Sequence, residues 1–365
     1  MKNLCFVCFN IEDMGGITRV ISSVCRELEK FKNYKLSIIS ICSTGKESYY
    51  YFSENIEIFR LNNFPDDRLR NIIFKSFFPL LKIIKNSCFD IIFMEGHYIP
   101  PIVLSLKFFI KSKIIFCDHG SVSNQITDKK ATFFRKIAAK LCDKIVVLTE
   151  KAKNEYKKFF GICEGKLSEI PNFIDEDIFK FKGEYNADSK LILSSGRLTQ
   201  EKGFDMLVKV AAMVFEKYKD WQWHIYGEGP ERGKIETLIK ENHLENNVKL
   251  MGLADNMYSK YKDYGIFVLT SYREGFALVL LEAKASGIPL VSFDCVSGPS
   301  EIISNEVDGY LIPCYNGEMM SEKICMLIEN DDLRKIFSEN TKIGIEKFSK
   351  SEIIKKWEHI IDDLS

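Results

Sequence analysis

The sequence predicts an α/β protein with two doubly wound domains, each built from a parallel sheet that is covered by helices. Its 365 residues suit two domains better than one. Short apolar runs alternate with stretches of helical spacing in both halves, which is the order that a parallel sheet with crossover helices requires. A polar segment at 165–190, which contains the Pro171-Asn172 pair, separates the two series.

The first series begins with an apolar strand at 4–10, which runs into the pair Gly15-Gly16. A helix is predicted at 18–31, because the apolar residues there recur at helical spacing. Further strands are predicted at 35–42, 90–95, 113–119 and 144–150. The apolar stretch at 98–110 contains two prolines and a lysine, and it is shorter than the ~20 residues that cross a bilayer.

The second series has strands predicted at 191–198, 221–227, 248–252, 265–271 and 289–294, with helices at 203–219, 230–242, 278–287 and most of 316–361. We therefore predict a first domain over 1–170, a second over 171–345 and a final helical segment over 346–365 around Trp357. Two such domains in tandem are expected to bind a ligand in the cleft between them, outside the carboxyl ends of the strands.

The composition is that of a soluble globular protein, with 46% hydrophobic and 28% charged residues. The N-terminal segment reaches Glu12 and Asp13 without a small-residue cleavage site, so a signal peptide is not predicted. We expect a cytoplasmic protein whose eleven scattered cysteines are reduced. Cys5 and Cys8 have C-x-x-C spacing, but on a strand they point to opposite faces, and no second Cys/His pair lies nearby to complete a zinc site.

The net charge is zero but unevenly distributed. Residues 1–165 contain 26 Lys and Arg against 17 Asp and Glu, and the rest of the chain contains 25 against 34. The basic first half indicates either a face that meets something anionic, such as a lipid surface, or ordinary solvated lysines. The basic, aromatic stretch at 74–86 also has two interpretations: it lies at a membrane interface, or it is a helix packed on the first sheet.

The most specific pattern for chemistry joins Glu274 and Glu282, which follow the strand predicted at 265–271. Glu274 is expected in the loop after that strand, and Glu282 about two turns into the next helix. Eight residues at ~1.5 Å each span ~12 Å, similar to the distance between the sugar and the ribose of a nucleotide-sugar. The start of the helix between them would seat a phosphate. Two glutamates at this spacing are also common on a solvated helix face.

The loop after the strand at 191–198 carries Arg197 and Lys202, with Gly196 allowing a close backbone approach. Two cations in one loop suit a diphosphate leaving group, although surface charge in a βα loop is the ordinary alternative. The pair Gly15-Gly16 would offer backbone N–H groups to a phosphate or an acceptor, or would serve a tight turn. It is not the G-x-G-x-x-G pattern, which argues against a dinucleotide cofactor.

Three further turns follow predicted strands. His119 comes directly after an apolar run and can reach the cleft, although a lone histidine is more often structural. The turn at 226–230 contains Gly227 and would line a base pocket through its backbone. The turn at 298–301 places Glu301 at the start of a helix, where it either caps that helix or contacts the donor.

Together these segments resemble the retaining glycosyltransferases of family 4, which have the GT-B fold. The resemblance is dense over about 170–345, through SGRLTQEKG, YGEGP, SYREGFALVLLEAKASGIPLVSFDCVSGPSEII and Asp308-Gly309. It is thinner in the first domain, where it rests on Gly15-Gly16, His119-Gly120 and Pro171-Asn172. It implies an acceptor-binding first domain, a second domain that binds the nucleotide-sugar donor, and a last helix that crosses back to the first domain.

The resemblance also implies a role for each residue singled out above. The catalytic residues would be His119, Arg197, Lys202 and Glu274. The donor would be bound by Gly16, Gly196, Arg197, Lys202, Gly227, Glu274, Gly275, Phe276, Ala277 and Glu282. In these roles Arg197 and Lys202 bind the diphosphate, and Gly16 adds a backbone contact. Glu282 holds the ribose, Glu274 contacts the transferred sugar, and His119 approaches the sugar near the reacting carbon.

The implied reaction is retaining transfer of a hexose or N-acetylhexosamine from a nucleotide-diphosphate sugar, with a UDP-sugar favoured. The expected acceptor is a lipid-linked glycan in the assembly of polysaccharide, lipopolysaccharide or capsule, at the cytoplasmic face of an anionic inner membrane. No metal, no cofactor and no nucleic acid partner are expected. Three alternatives remain: transfer to a soluble sugar, sugar-nucleotide epimerisation on the same fold, and a nucleotide-binding module without catalysis.

Overall fold

The computed structural model describes residues 1–61, 63–181 and 183–364. These residues form two compact units. Unit 1 is Met1–Asn172 together with the segment from Ser351 onward, and unit 2 is Phe173–Lys350. Each unit is a parallel sheet with helices on its faces, so the two doubly wound α/β domains that the sequence predicts are confirmed.

The sheet of unit 1 has seven described strands in the order β3-β2-β1-β4-β5-β6-β7, all paired in parallel. The strands are β1 Lys2–Asn10, β2 Tyr34–Cys42, β3 Glu57–Arg60, β4 Ile91–Glu95, β5 Lys113–Asp118, β6 Lys144–Val147 and β7 Leu167–Glu169. The helices are α1 Gly16–Leu28, α2 Leu69–Ser87, α3 Pro100–Val103, α4 Lys129–Leu141 and α5 Glu150–Phe160, with a 3-10 helix at Leu104–Phe109. Most of the apolar stretch at 98–110 is therefore helical, from residue 100 to residue 109.

The sheet of unit 2 has six described strands in the order β10-β9-β8-β11-β12-β13, again all parallel. The strands are β8 Leu191–Ser195, β9 Gln222–Tyr226, β10 Val248–Gly252, β11 Ile266–Leu269, β12 Leu290–Asp294 and β13 Gly309–Pro313. The helices are α6 Phe204–Lys217, α7 Arg232–Glu241, α8 Leu278–Ala285, α9 Pro299–Ile302, α10 Gly317–Glu329 and α11 Asp331–Asn340.

A last helix, α12 at Lys350–Asp362, packs on unit 1. The ring of Trp357 meets Phe93 of β4 edge-on at a centroid distance of 5.7 Å, and Lys2 forms an ion pair with Asp362 at 2.7 Å. Within the described residues, every helix is too short or too polar to span a lipid bilayer.

In each sheet the strand order reverses at the first strand of the unit, β1 or β8. In unit 1 the second and third strands lie on one side of β1 and the fourth on the other, and β8 has the same position in unit 2. A doubly wound sheet binds its ligands at this switch, beyond the carboxyl ends of the two strands that flank it. The loops after β1 and β4, and those after β8 and β11, are therefore the places to look for a site.

Candidate active site

The loops after β8 and β11 of unit 2 touch through their backbones. Gly203 has φ +64°, and a Cβ atom added to it would lie 2.1 Å from the carbonyl oxygen of Thr270. The hydroxyl of Thr270 donates to the Lys202 carbonyl at 3.2 Å, and the Tyr272 amide donates to the Glu201 carbonyl at 2.8 Å. Only glycine permits this approach, because any larger residue would push the two loops apart.

This approach brings Lys202 to Glu274. The Lys202 Nζ and the Glu274 Oε1 lie 2.7 Å apart, with 24% and 6% of their side chains exposed. An ammonium has three donor hydrogens, and the bond to Glu274 uses one of them. The carboxylate therefore fixes the direction of the Lys202 side chain while its remaining hydrogens stay able to bind an anionic ligand.

Arg197 lies in the same loop and is exposed. Within the described parts of the chain its guanidinium makes no ion pair, so its charge is not neutralised by the protein there. Arg197 and Lys202 thus put two cations beyond the end of β8, as the sequence predicts. Their binding of a diphosphate stays a prediction.

Gly196 and Gly227 hold the loops after β8 and β9 together. A Cβ atom on Gly227, whose φ is +143°, would lie 1.9 Å from the Gly196 carbonyl oxygen. The Gly196 amide donates to Tyr226 at 2.9 Å, and the Gly227 amide donates to Gly252 at 2.8 Å. Both N–H groups are therefore used inside the protein. If these glycines bind the donor, as predicted, they act by giving it space rather than by donating a hydrogen bond.

The loop between Glu274 and α8 presents three free backbone donors. The amides of Gly275, Phe276 and Ala277 make no hydrogen bond to any residue that the structure describes. Packing fixes this loop, because the Phe276 ring meets Phe348 at 5.5 Å and Ala277 is buried. Unpaired N–H groups just before a helix, together with the positive end of its dipole, form an anion-binding arrangement.

Glu282 does not lie where the sequence-based argument put it. Helix α8 begins at Leu278, so Glu282 is little more than one turn into the helix, not two. Residues 274–277 are not helical, so the ~12 Å estimate from helical rise does not apply. Glu282 is a buried residue with 5% of its surface exposed, and its carboxylate accepts a hydrogen bond of 2.8 Å from the Tyr261 hydroxyl.

In unit 1, His119 is paired with a carboxylate that sequence analysis missed. The His119 Nε2 lies 2.5 Å from Oε2 of Glu95, with 11% and 2% of the side chains exposed. Glu95 ends β4 and His119 follows β5, and these strands are neighbours. The signal was available, because the carboxyl ends of adjacent parallel strands meet at one edge of a sheet.

A buried charge network supports the loop that carries His119. Asp118 accepts bonds from Arg135 Nε at 2.6 Å and from the Tyr156 hydroxyl at 2.7 Å, and all three side chains are buried. Burial alone would raise the Asp118 pKa, but the charge and hydrogen bonds of Arg135, with the Tyr156 hydroxyl, hold that pKa well below its usual range. Asp118 in turn accepts from the Gly120 amide at 3.1 Å, which fixes the turn after His119.

The pair Gly15-Gly16 lies at the start of α1. Gly15 caps the helix without a side-chain hydrogen bond, and the first turn contains no acidic residue. A Cβ atom added to either glycine would meet no described atom within 4 Å. Unlike Gly203 and Gly227, these glycines are not required by side-chain packing. The Gly15 amide donates to the Asp13 carbonyl at 3.0 Å, so both a tight turn and backbone access for a ligand at Gly16 stay predictions.

Family models match almost the whole chain. The model for Glycosyltransferase Family 4 matches residues 14–178, and the model for Glycosyl transferases group 1 matches residues 175–343. An uncharacterized glycosyltransferase of Haemophilus influenzae is 30% identical over 363 residues, which are 99% of this chain and 100% of the relative. The chain belongs to the family 4 glycosyltransferases.

Other relatives of this family 4 glycosyltransferase have more specific names. The amylovoran biosynthesis glycosyltransferase AmsD of Erwinia amylovora is 29% identical over 99% of this chain and 100% of its own. A GalNAc-α-(1→4)-GalNAc-α-(1→3)-diNAcBac-PP-undecaprenol α-1,4-N-acetyl-D-galactosaminyltransferase of Campylobacter jejuni is 25% identical over 96% of each chain. Relatives of the enzyme thus act in polysaccharide biosynthesis, some of them on lipid-linked acceptors.

The fold of the family 4 glycosyltransferase is GT-B, as the resemblance implied. A crystal structure of a TarM mutant from S. aureus, in complex with fondaparinux, α-GlcNAc-glycerol and UDP, superposes with a TM-score of 0.86. It is 19% identical and covers 99% of this chain and 100% of that one, so the likeness concerns the fold. Among the residues described in this enzyme, no three His, Cys, Asp or Glu side chains are grouped so as to hold a metal ion.

Proposed function

We propose that this enzyme is a retaining, metal-independent glycosyltransferase that moves a hexose or N-acetylhexosamine from a UDP-sugar to a lipid-linked glycan. It acts at the cytoplasmic face of a membrane, in the assembly of a surface polysaccharide such as a lipopolysaccharide or capsule. The observation that carries the proposal is the Lys202–Glu274 pair beyond the carboxyl end of the second sheet, with Arg197 in the same loop.

The proposed chemistry follows from the charges of that edge. The bond between the sugar C1 and the diphosphate oxygen breaks, and a new bond forms between C1 and an acceptor hydroxyl. Negative charge grows on the departing diphosphate, where Arg197 and Lys202 stabilise it, together with the free amides before α8. The acceptor proton passes to the diphosphate on the same face of the sugar. This step needs no carboxylate nucleophile, in contrast to retaining hydrolases.

The proposed donor contacts are the roles that the family resemblance implies, and the geometry of unit 2 supports them. Glu274, held by Lys202, contacts hydroxyls of the transferred sugar, and Glu282, oriented by Tyr261, holds the ribose. From unit 1, Gly16 contributes a backbone contact to the diphosphate, and His119 contacts the sugar. The choice of UDP is supported by the UDP present in the TarM complex.

The acceptor is assigned from relatives and from charge. The name of the Campylobacter relative includes a PP-undecaprenol glycan, and AmsD is named for amylovoran biosynthesis. The basic surplus of residues 1–165 suits an acceptor that carries a diphosphate and is embedded in an anionic membrane. A soluble sugar acceptor would leave ordinary solvated lysines as the reason for that surplus.

Two measurements test the proposal. Thermal shifts with UDP-, GDP- and ADP-sugars identify the donor, and NMR of the product then shows whether the anomeric configuration of the donor is kept. Lys202→Ala is expected to lower kcat by about 10²–10³-fold, because leaving-group charge is greatest in the transition state, with a smaller loss of donor affinity. The control is Lys217→Ala, which removes an exposed ammonium from α6.

Three results would count against it. A product of inverted configuration would refute retention. Equal losses of donor affinity and kcat in Lys202→Ala would refute the leaving-group role of Lys202. Formation of an epimerised nucleotide-sugar without any acceptor would favour the epimerase alternative.

A further inference from the structure

Unit 1 exposes an unusual number of phenylalanines on two neighbouring elements. On α2, Phe74 and Phe78 are 73% and 76% exposed, and on the 3-10 helix Leu104–Phe109, Phe108 and Phe109 are 90% and 54% exposed. The half-buried Phe77 joins them, since its ring meets Phe78 at 5.2 Å and Phe109 at 5.9 Å. Grouped exposed aromatic rings mark an interaction surface rather than chance exposure.

The exposed rings are not required by the packing of α2. The helix packs on the sheet through Ile72, Leu80 and Ile84, which are all buried. The two interpretations of the stretch at 74–86 are therefore compatible, because one side of the helix packs on the sheet and another carries aromatic rings into solvent. This second side is accessible to a partner.

The surroundings of these rings are basic. Helix α2 contains Arg70, Lys75, Lys82 and Lys85 and has no aspartate or glutamate, and the segment 104–113 contains three lysines and no acid. Two of these lysines are neutralised: Lys75 pairs with Asp67 at 3.0 Å, and Lys107 pairs with Asp143 at 3.0 Å. The other cations of these two segments are exposed.

A cavity of about 760 Å³ adjoins the rings and shares Phe109 with them. Lys85, Lys111 and Lys113 line it, and all three are exposed and make no ion pair with any residue in the described ranges. Lys2 also lines it but is paired with Asp362, while Asp90 accepts a bond from the Asn3 amide at 2.7 Å. Cations thus outnumber carboxylates in the lining, since Asp90 is its one described acidic side chain, and the remaining walls are largely apolar.

We propose that this surface, here called the Phe–Lys face, docks on an anionic phospholipid bilayer. It comprises Phe74, Phe78, Phe108, Phe109, Lys85, Lys111 and Lys113. The rings enter the boundary between headgroups and acyl chains, and the three lysines hold headgroup phosphates in the cavity. The combination of aromatic rings with an excess of cations fits this occupant, whereas a second copy of this chain would set the same basic faces against each other. The inference extends the proposed function, because docking would concentrate the enzyme where a lipid-linked acceptor lies.

Flotation with vesicles tests the docking directly. The wild type is expected to float with vesicles of phosphatidylcholine and phosphatidylglycerol and to stay behind with phosphatidylcholine alone. Lys85→Gln/Lys111→Gln/Lys113→Gln should lower the partition coefficient roughly a hundredfold, and Phe78→Ser/Phe108→Ser at least roughly tenfold. Added salt should weaken binding of the wild type more than that of the lysine variant.

Matched variants in unit 2 control for general loss of surface charge or apolar area. Ile336→Ser/Ile343→Ser removes two side chains that are 52% and 56% exposed, and Lys219→Gln/Lys240→Gln/Lys342→Gln removes three exposed lysines. Both controls should float like the wild type. If they lose binding to the same degree as the Phe–Lys variants, binding is not located on this face and the proposal is overturned.

Two further results would overturn the proposal: no flotation of the wild type with anionic vesicles, or light scattering that shows a dimer which Phe78→Ser/Phe108→Ser converts to monomers. The test is independent of catalysis. The Phe–Lys variants should keep wild-type hydrolysis of the donor in the absence of vesicles, because none of their residues touches the candidate active site. Docking without transferase activity would refute the proposed function alone, and activity without flotation would refute the docking alone.

Discussion

The carboxyl edges of the two sheets carry candidate site residues in different ways. In unit 2 the loops approach each other so closely that Gly203 and Gly227 could bear no Cβ atom. In unit 1 the corresponding edge is held by ion pairs between side chains of separate elements: Glu95 pairs with His119, and Arg135 pairs with Asp118. Loops that touch through their backbones require glycine at fixed positions in the sequence. Side chains that meet across strands leave no such fixed spacing in the sequence. This difference explains why the sequence motifs are dense in one half and thin in the other.

The largest expected effect is the loss of stability when an ion pair buried inside a unit is broken. Asp118–Arg135 in unit 1 is fully buried, and Lys284–Asp308 in unit 2 is nearly so. Asp118→Asn leaves a guanidinium buried without a counter-charge and should lower the free energy of unfolding by about 3–5 kcal/mol at neutral pH. Urea unfolding measures this. A loss as small as that of Asp220→Asn, which breaks a surface pair with about 60% exposure, would contradict it.

The same pair predicts a pH dependence with a definite sign. Because the Asp118 pKa is lowered in the folded state, its stabilisation is present above the unfolded value of about 4 and is lost as the pH falls through the lower folded pKa. The stability gap between wild type and Asp118→Asn should therefore narrow on acidification below about pH 4. A gap that stays constant with pH would refute the charge-based origin of the effect.

The next comparison sets glycines of the two units against each other. Gly227→Ala would place a Cβ atom 1.9 Å from a carbonyl oxygen at φ +143°, and it should destabilise unit 2 by about 2–4 kcal/mol. The Cβ atom added in Gly16→Ala meets no described atom. The free energy of unfolding of this variant should therefore change by less than about 0.5 kcal/mol, while its donor affinity falls. Thermal unfolding and donor titration separate the two. A Gly16→Ala enzyme with unchanged donor affinity would remove Gly16 from the site.

These cases show how much the sequence could predict. Strands such as 90–95 and 265–271 are found because both faces of a central parallel strand are buried, so each contains a run of four apolar residues. The edge strands β3, β7 and β13 are missed because they are only three to five residues long; β3 and β7 are also partly polar, and β13 begins with a glycine and ends with a proline. Lys202 and Glu274 were identified through motifs, but their bond to each other was not, because it depends on how two separate loops approach. Tyr261 was missed for the same reason, since it lies 21 residues from Glu282.

A smaller effect is expected from the carboxylate that motif analysis missed in unit 1. Glu95→Gln keeps the shape of the side chain but removes the charge that faces His119, and it should lower kcat by about tenfold with donor affinity unchanged. If Glu95 acts only by positioning His119, the double variant Glu95→Gln/His119→Ala should be no slower than His119→Ala. Additive losses in this cycle would show that Glu95 acts independently of the histidine.

The smallest effect tests the corresponding support in unit 2. Tyr261→Phe removes the hydroxyl that donates to Glu282 at 2.8 Å and leaves the buried ring in place. One such bond to a charged group is worth about 1.5–3 kcal/mol at most. The carboxylate regains part of this free energy when it bonds to the ribose, so donor affinity should fall by only about threefold to tenfold. Donor affinity should fall further in Glu282→Ala, because this change removes the ribose contact itself. If Tyr261→Phe lowered donor affinity as much as Glu282→Ala, the two residues would act as one unit. If Glu282→Ala left donor affinity unchanged, the ribose assignment would be wrong and the pair would serve only to fix α8.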